Sequence, residues 1–221
     1  MMLKLLTILL ACVVAIVKTA VPCEPSKFPY KVADSSQCDK YIKCHNQQAT
    51  EELCEDGYVF EESIQNCDLP FKVDCTSRPT LQPPRAVGNC SRLNGIFPSN
   101  KCDEYLYCQN GEEKNIKCDL GLVFDPKQGV CEFPDIARRP GCQSEDILNF
   151  RCPIKPEDEE YRFDDHERHP HPKDCRYYFK CMRNGMPRLG GCKTTEVYNP
   201  EIGVCDLAKN VKGCENYYKD V

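Results

Sequence analysis

The chain has 221 residues, 19 of them cysteine and none tryptophan, and a formal net charge of −5. With 29 basic against 34 acidic side chains and no basic stripe, the composition excludes nucleic acid as a partner. So many cysteines point away from a large-core intracellular enzyme and toward a disulfide-stapled protein of an oxidising compartment.

The chain opens with Lys4 and an apolar run from Leu5 to Val17, broken by Thr7. Residues 1–20 read as a signal peptide, cut after Thr19 or Ala20, because the run is too short to span a bilayer. Leu9-Leu10-Ala11-Cys12 also resembles a lipoprotein box, but apolar residues continue past Cys12. No membrane partner is expected. Removal of Cys12 leaves an even eighteen cysteines.

Those eighteen form three sextets: Cys23, Cys38, Cys44, Cys54, Cys67, Cys75; Cys90, Cys102, Cys108, Cys118, Cys131, Cys142; and Cys152, Cys175, Cys181, Cys192, Cys205, Cys214. Five residues separate the second and third cysteine of every set and twelve the fourth and fifth; the third-to-fourth gap is nine, nine and ten. Fixed inner spacing with drifting outer loops marks one small unit used three times. The units are assigned to residues 21–77, 87–144 and 149–216, with a Pro-rich linker at 78–86, a second linker at 145–148 and a tail at 217–221. Domains this small bury little of their surface, so disulfides are expected to carry much of the stability.

Between the second and third cysteines, Asp39 to Lys43, Asp103 to Tyr107 and Arg176 to Lys180 read as strands. Alternation puts Ile42, Leu106 and Phe179 inward with the third cysteine, and Tyr41, Tyr105 and Tyr178 outward. Asn110-Gly111 and Asn184-Gly185 predict two-residue hairpin turns, with His45-Asn46-Gln47 in their place in unit one. Gly57-Tyr58-Val59-Phe60, Gly121-Leu122-Val123-Phe124 and Glu196-Val197-Tyr198 open a second hairpin, with Phe60, Phe124 and Tyr198 in the core. Helical periodicity is absent apart from a single turn over Leu207 to Val211. Asn89-Cys90-Ser91 is formally a glycosylation sequon at Asn89, hindered by a middle residue expected in a disulfide.

Catalytic patterns are missing: there is no Gly-x-Ser-x-Gly, phosphate loop or His-Glu-x-x-His. The acidic runs Glu51-Glu52 and Glu157 to Glu160 differ between repeats, unlike a glycosidase carboxylate pair. His166, His169 and His171 lie near Asp164, Asp165 and Glu167, a density that could hold a metal, but a polar exposed loop accounts for them and the other units have no counterpart. Neither metal nor cofactor is expected.

Three Cys-x-x-Tyr-x-x-Cys segments carry a resemblance: Cys38-Asp-Lys-Tyr-Ile-Lys-Cys44, Cys102-Asp-Glu-Tyr-Leu-Tyr-Cys108 and Cys175-Arg-Tyr-Tyr-Phe-Lys-Cys181. With Gly-x-Val-Phe after the fourth cysteine and Asp68, Glu132 or Asp206 after the fifth, the chain resembles type-2 chitin-binding (peritrophin-A-like) proteins. Its three-unit form is similar to the arthropod cuticular obstructor group. The resemblance implies a three-stranded sheet plus a two-stranded hairpin per unit. Six cysteines allow fifteen pairings; the resemblance implies first to third, second to sixth and fourth to fifth. These are Cys23–Cys44, Cys38–Cys75 and Cys54–Cys67; Cys90–Cys108, Cys102–Cys142 and Cys118–Cys131; and Cys152–Cys181, Cys175–Cys214 and Cys192–Cys205.

The resemblance also implies a secreted, non-catalytic matrix protein whose partner is chitin, with other matrix proteins as further partners. Chitin is uncharged, so flat aromatic rings and amides suit it. Candidates are Tyr41, Tyr105, Tyr107 and Tyr178, with Asn46, Asn110 and Asn184 as polar partners. Where many family members place a tryptophan, this chain has Leu69, Phe133 and Leu207. That makes unit two the expected strongest binder. The alternative is a disulfide scaffold for matrix or signalling protein contacts, with chitin binding lost.

Overall fold

The computed structural model of the protein describes residues 23–153 and 167–219. The expected signal peptide lies outside the described residues, as do Asp164, Asp165 and His166. Unit one is a three-stranded antiparallel sheet of β1 (Tyr30–Ala33), β2 (Lys40–His45) and β3 (Gln48–Leu53), followed by the hairpin β4 (Val59–Glu61) and β5 (Asn66–Asp68). Unit two repeats this with β6 (Gly95–Pro98), β7 (Glu104–Gln109), β8 (Glu112–Lys117), β9 (Val123–Asp125) and β10 (Val130–Glu132). Two short helices follow, α1 (Pro134–Ala137) and α2 (Ser144–Leu148), the second standing where a linker was expected. Unit three has β11 (Arg168–Pro170), β12 (Tyr177–Cys181), β13 (Pro187–Gly191), β14 (Glu196–Asn199) and β15 (Val204–Leu207).

In every unit, disulfides join the first cysteine to the third, the second to the sixth and the fourth to the fifth. The sheet and hairpin are tied at one more repeated point. The N–H of Phe60, Phe124 and Tyr198 donates to the carbonyl of Cys38, Cys102 and Cys175, at 2.8, 2.9 and 2.8 Å. Two consecutive hairpin residues are buried on opposite sides in each unit. Val59, Val123 and Val197 face the second-to-sixth disulfide and the final turn, and Phe60, Phe124 and Tyr198 face the sheet.

The turns explain the one-residue difference in the third gap. Asn46 and Gln47 (φ 49° and 61°) and Asn110 and Gly111 (φ 51° and 81°) form two-residue loops with both residues left-handed, the twist that matches paired strands. Unit three does not form the expected two-residue Asn184-Gly185 turn. Its N–H of Met182 donates to Met186 O, and the N–H of Gly185 to Met182 O, both at 2.9 Å, so Arg183, Asn184 and Gly185 all lie in the loop. The tenth residue of that gap is accommodated there.

The Pro-rich connector is extended, as its prolines dictate, but it is not a free spacer. The N–H of Gln82 donates to Asp39 Oδ2 and its side-chain amide to Cys54 O, both at 2.8 Å. Arg78 is buried and donates to Phe60 O at 2.6 Å, while the N–H of Cys38 donates to Thr80 O. Unit one alone leaves these buried groups without partners, and the connector satisfies them. The tail is likewise docked. Tyr217 donates to Asp174 Oδ1 at 2.5 Å and Tyr218 to Glu196 O at 2.9 Å. That bond to Asp174, with burial, pushes the Tyr217 hydroxyl up to about 12.

Units one and two meet at Asp56, which is fully buried. Its carboxylate accepts from the Arg92 guanidinium (2.6 Å) and from the N–H groups of Arg85 and Leu93 (2.9 Å each), and its carbonyl accepts from Asn94. Burial opposes the charge, but these donors outweigh it and hold the carboxyl below its ordinary value. Next to it, Gly57 lies directly against the Asn94 carbonyl, with no room for a Cβ. At the next junction Gly121 plays the same part, since an added Cβ would stand 2.7 Å from Leu189 Cβ.

The third residue after the fourth cysteine is left-handed in each unit: φ is 107° at Gly57, 83° at Gly121 and 79° at Thr195. Thr195 carries a β-branched side chain where the backbone favours glycine. Thr195→Gly is expected to stabilise unit three by about 1 kcal/mol. A raised denaturation midpoint checks this; a lowered one would mean that the threonine's contacts outweigh its strain.

Candidate functional site

The repeated tyrosines do not stand outward. Tyr41 is 8% exposed, and its ring stacks on Phe60 at 4.8 Å and 24°. Tyr105 stacks on Phe124 at 4.8 Å and 27°, and Tyr178 on Tyr198 at 4.9 Å and 28°. Strand alternation separates the two faces of the sheet correctly, because Ile42, Leu106 and Phe179 are buried with the third cysteine. It carries no information about what covers the other face. The second hairpin folds over it, so these three rings join sheet to hairpin.

Little ring surface remains on two of them. The Lys31 ammonium sits 4.9 Å from the Tyr41 ring centre, and the phenol donates to Glu52 at 2.8 Å. Burial, then that carboxylate, raises the Tyr41 hydroxyl above its ordinary value. The Arg168 guanidinium lies 5.8 Å from the Tyr178 ring, which also contacts Gly190 closely.

Phe133 is covered from the neighbouring unit. Arg188 of β13 places its guanidinium 4.6 Å from the ring centre and donates to both carboxylate oxygens of Asp135, at 2.9 and 2.7 Å. Aromatic character at this position thus serves the junction of units two and three. Leu69 is half-buried; Leu207 is 44% exposed beside Val204 at 46% and Ile202 at 59%.

Tyr107 is different. It is 40% exposed and follows Tyr105 on the same face of β7. Paired residues of an antiparallel sheet share a face; Ile96 pairs with Tyr107, and Ile116 with Tyr105. On this face of unit two Tyr107 stands between Ile96 and Lys114, with the half-buried Ile116 diagonal to it across from Tyr105. The corresponding face carries more charge elsewhere, with a lysine in place of Tyr107: Lys31 pairs with Lys43 in unit one, and Arg168 and Arg188 flank Lys180 in unit three. Asn46, Asn110 and Asn184 are exposed at the turns ending the central strands. The Asn184 side chain is turned back onto Met186 N–H at 3.1 Å, while Asn110 N–H donates to Asn94 Oδ1 at 2.9 Å.

Asn89 is exposed, with its side-chain amide donating to Glu113 at 2.9 Å. His169 lies 3.0 Å from Glu167, and His171 packs near Phe179; among the described residues no group of three or more ligating side chains converges. Asp56, Arg92, Asp135 and Arg188, which order the units, were not visible in the spacing, because each belongs to one junction rather than to the repeat.

The family model for the Chitin binding Peritrophin-A domain matches residues 23–75, 90–142 and 164–214, more than half of the chain. Cys152 lies ahead of the third match. The chain is 30% identical over 210 residues to Protein obstructor-E of Drosophila melanogaster, covering 86% of this chain and 81% of that protein. It is 29% identical over 205 residues to Peritrophin-44 of Lucilia cuprina, covering 83% of this chain and 52% of the relative. A stretch of 55 residues is 38% identical to Endochitinase of Manduca sexta, covering 24% of this chain and 10% of that enzyme. Three six-cysteine units, each a sheet joined to a hairpin, thus belong to the Chitin binding Peritrophin-A domain family.

Proposed function

We propose that the protein is a secreted, non-catalytic chitin-binding protein that bridges chitin fibrils, or chitin and other matrix proteins, as in a cuticle. The observation carrying this reading is the exposed Tyr107 ring on unit two, beside Ile96 and diagonal to Ile116, with Lys114 at the edge of this strip. A pyranose ring offers a flat apolar face, and a rigid aromatic beside aliphatic side chains covers it at small entropic cost. Asn110 at the strip's end, with Asn46 and Asn184 at the matching ends, supplies amide groups for the N-acetyl substituents. The stretch shared with Endochitinase is a tenth of that enzyme, in keeping with a role in attachment rather than hydrolysis. Among the described residues no helix is long and apolar enough to cross a membrane.

Tyr107→Ala is expected to weaken retention on colloidal chitin about tenfold, roughly 1.4 kcal/mol, with all nine disulfides intact. Retention should resist salt and yield to chitin oligomers. Unchanged retention would move the site off this strip.

The charged faces of units one and three favour a second reading, in which those units hold protein partners by charge. Such contacts would weaken as salt shortens the screening length.

A further inference from the structure

Units two and three enclose a cleft of about 400 Å³. It exists only because the units are locked together: Gly121 packs on Leu189, and Arg188 grips Asp135. Leu120 and Leu122 from unit two, Leu148 from α2 and Leu189 from β13 line its walls, and Phe179 closes the back. Leu120 is 63% exposed, an apolar side chain that folding leaves in water at the rim. The mouth is polar, with Asp119 exposed, the Asp103–Lys117 ion pair at 3.3 Å, and the His171 ring.

Aliphatic walls under a rim of mixed charge suit a ligand that is uncharged, apolar on one side and rich in hydroxyls on the other. The carboxylates of Asp103 and Asp119 accept hydrogen bonds from hydroxyls or an amide N–H, and Lys117 donates to a carbonyl. The volume falls within the range of small-ligand pockets, which form preferentially at domain interfaces. A long apolar chain would make no use of the polar rim, and a strongly charged ligand would meet a like charge there.

We propose that this cleft is a second carbohydrate subsite, composite between two units, that takes a single N-acetylated amino-sugar residue of a free or terminal chitin chain. The proposal rests on the chitin-binding reading above but uses different residues from the Tyr107 strip. The strip lies along a sheet face of one unit, whereas the cleft lies between two units.

The test is a titration of the full, oxidised chain with triacetylchitotriose, followed by methyl and amide NMR, beside sedimentation with colloidal chitin. The expected result is that Leu120, Leu122, Leu148 and Leu189 methyl signals shift saturably, and that Leu120→Glu weakens this binding at least fivefold. Tyr107→Ala should leave those methyl shifts unchanged. Sedimentation with chitin while the four leucine signals stay still overturns the cleft and leaves the chitin-binding reading standing. Methyl shifts that Leu120→Glu does not alter also overturn it. Failure of both titration and sedimentation sinks the chitin-binding reading itself.

Discussion

Replacing Asp56 by alanine is expected to lower stability by about 3 kcal/mol and to uncouple unit one from unit two. The carboxylate is fully buried and accepts from Arg92, Arg85 N–H and Leu93 N–H. Deleting it leaves two backbone donors without an acceptor and a partly buried guanidinium with only the Gln82 carbonyl, the costly way to break a buried pair. The figure sits at the low end for such pairs because the Arg92 side chain is 20% exposed and can turn to water. Each unit keeps its own three disulfides, so both should remain folded but tumble separately. Nitrogen-15 relaxation reads this directly: one correlation time for units one and two in the native chain, two in Asp56→Ala. Gly57→Ala should act in the same direction, because its methyl group would enter the Asn94 carbonyl.

The pH dependence follows from the same group. The Asp56 carboxyl is held below its ordinary value of 3.8 in the folded state. The stabilisation is therefore complete above that value and disappears as pH falls through the lower, folded one. The junction should persist at neutral and mildly acidic pH and open only under stronger acid. Opening on mild acidification, around pH 6, would show that another group controls it.

The second large effect is on the cross-link from the second cysteine to the sixth. Replacing Cys38 and Cys75 by serine is expected to cost unit one about 4 kcal/mol, by the chain-entropy relation for a bridge spanning 37 residues. Cys54–Cys67 spans 13 residues and should be worth about 3 kcal/mol. A domain from Cys23 to Cys75 has roughly 3–8 kcal/mol to lose, so the longer bridge accounts for about half of its stability or more. Cys38 also packs with Val59 and Val73, so its loss opens that core cluster as well. Thermal melts of the Cys38→Ser/Cys75→Ser chain should show unit one unfolding well before units two and three. A single transition near the native one would contradict this.

The repeat was legible in the sequence because disulfide spacing and strand alternation are local and recur three times. Ile42, Leu106 and Phe179 took the inward face that alternation assigned. Phe60, Phe124 and Tyr198, read as core, are buried. The pairing of cysteines came through family likeness, since spacing leaves fifteen possibilities open. What spacing could not reveal is which surfaces other segments cover. Tyr41 looked outward because a strand has two faces, yet β4 and β5 close the second one. Phe133 looked like a free ring because Arg188, 55 positions away, leaves no mark on its neighbourhood in the chain. The connector looked like a spacer because its prolines report backbone stiffness, not that Gln82 and Arg78 meet unpaired groups of unit one.

These junctions bear on how linked units could act on a polymer. Flexible tethering gains affinity through effective concentration alone. Units ordered through Asp56 and Arg188 present their surfaces in a fixed relation, so less freedom is lost when more than one touches the same fibre. Loss of the Asp56 junction should then reduce retention on fibrillar chitin while leaving binding of a short soluble oligomer unchanged.

Sedimentation of the full, oxidised chain with colloidal chitin, with cellulose alongside, tests the central claim most directly. The protein should pellet with chitin, remain in solution with cellulose, and lose most of its chitin retention in Tyr107→Ala. A fully oxidised chain that stays in the supernatant with both polymers would contradict the account.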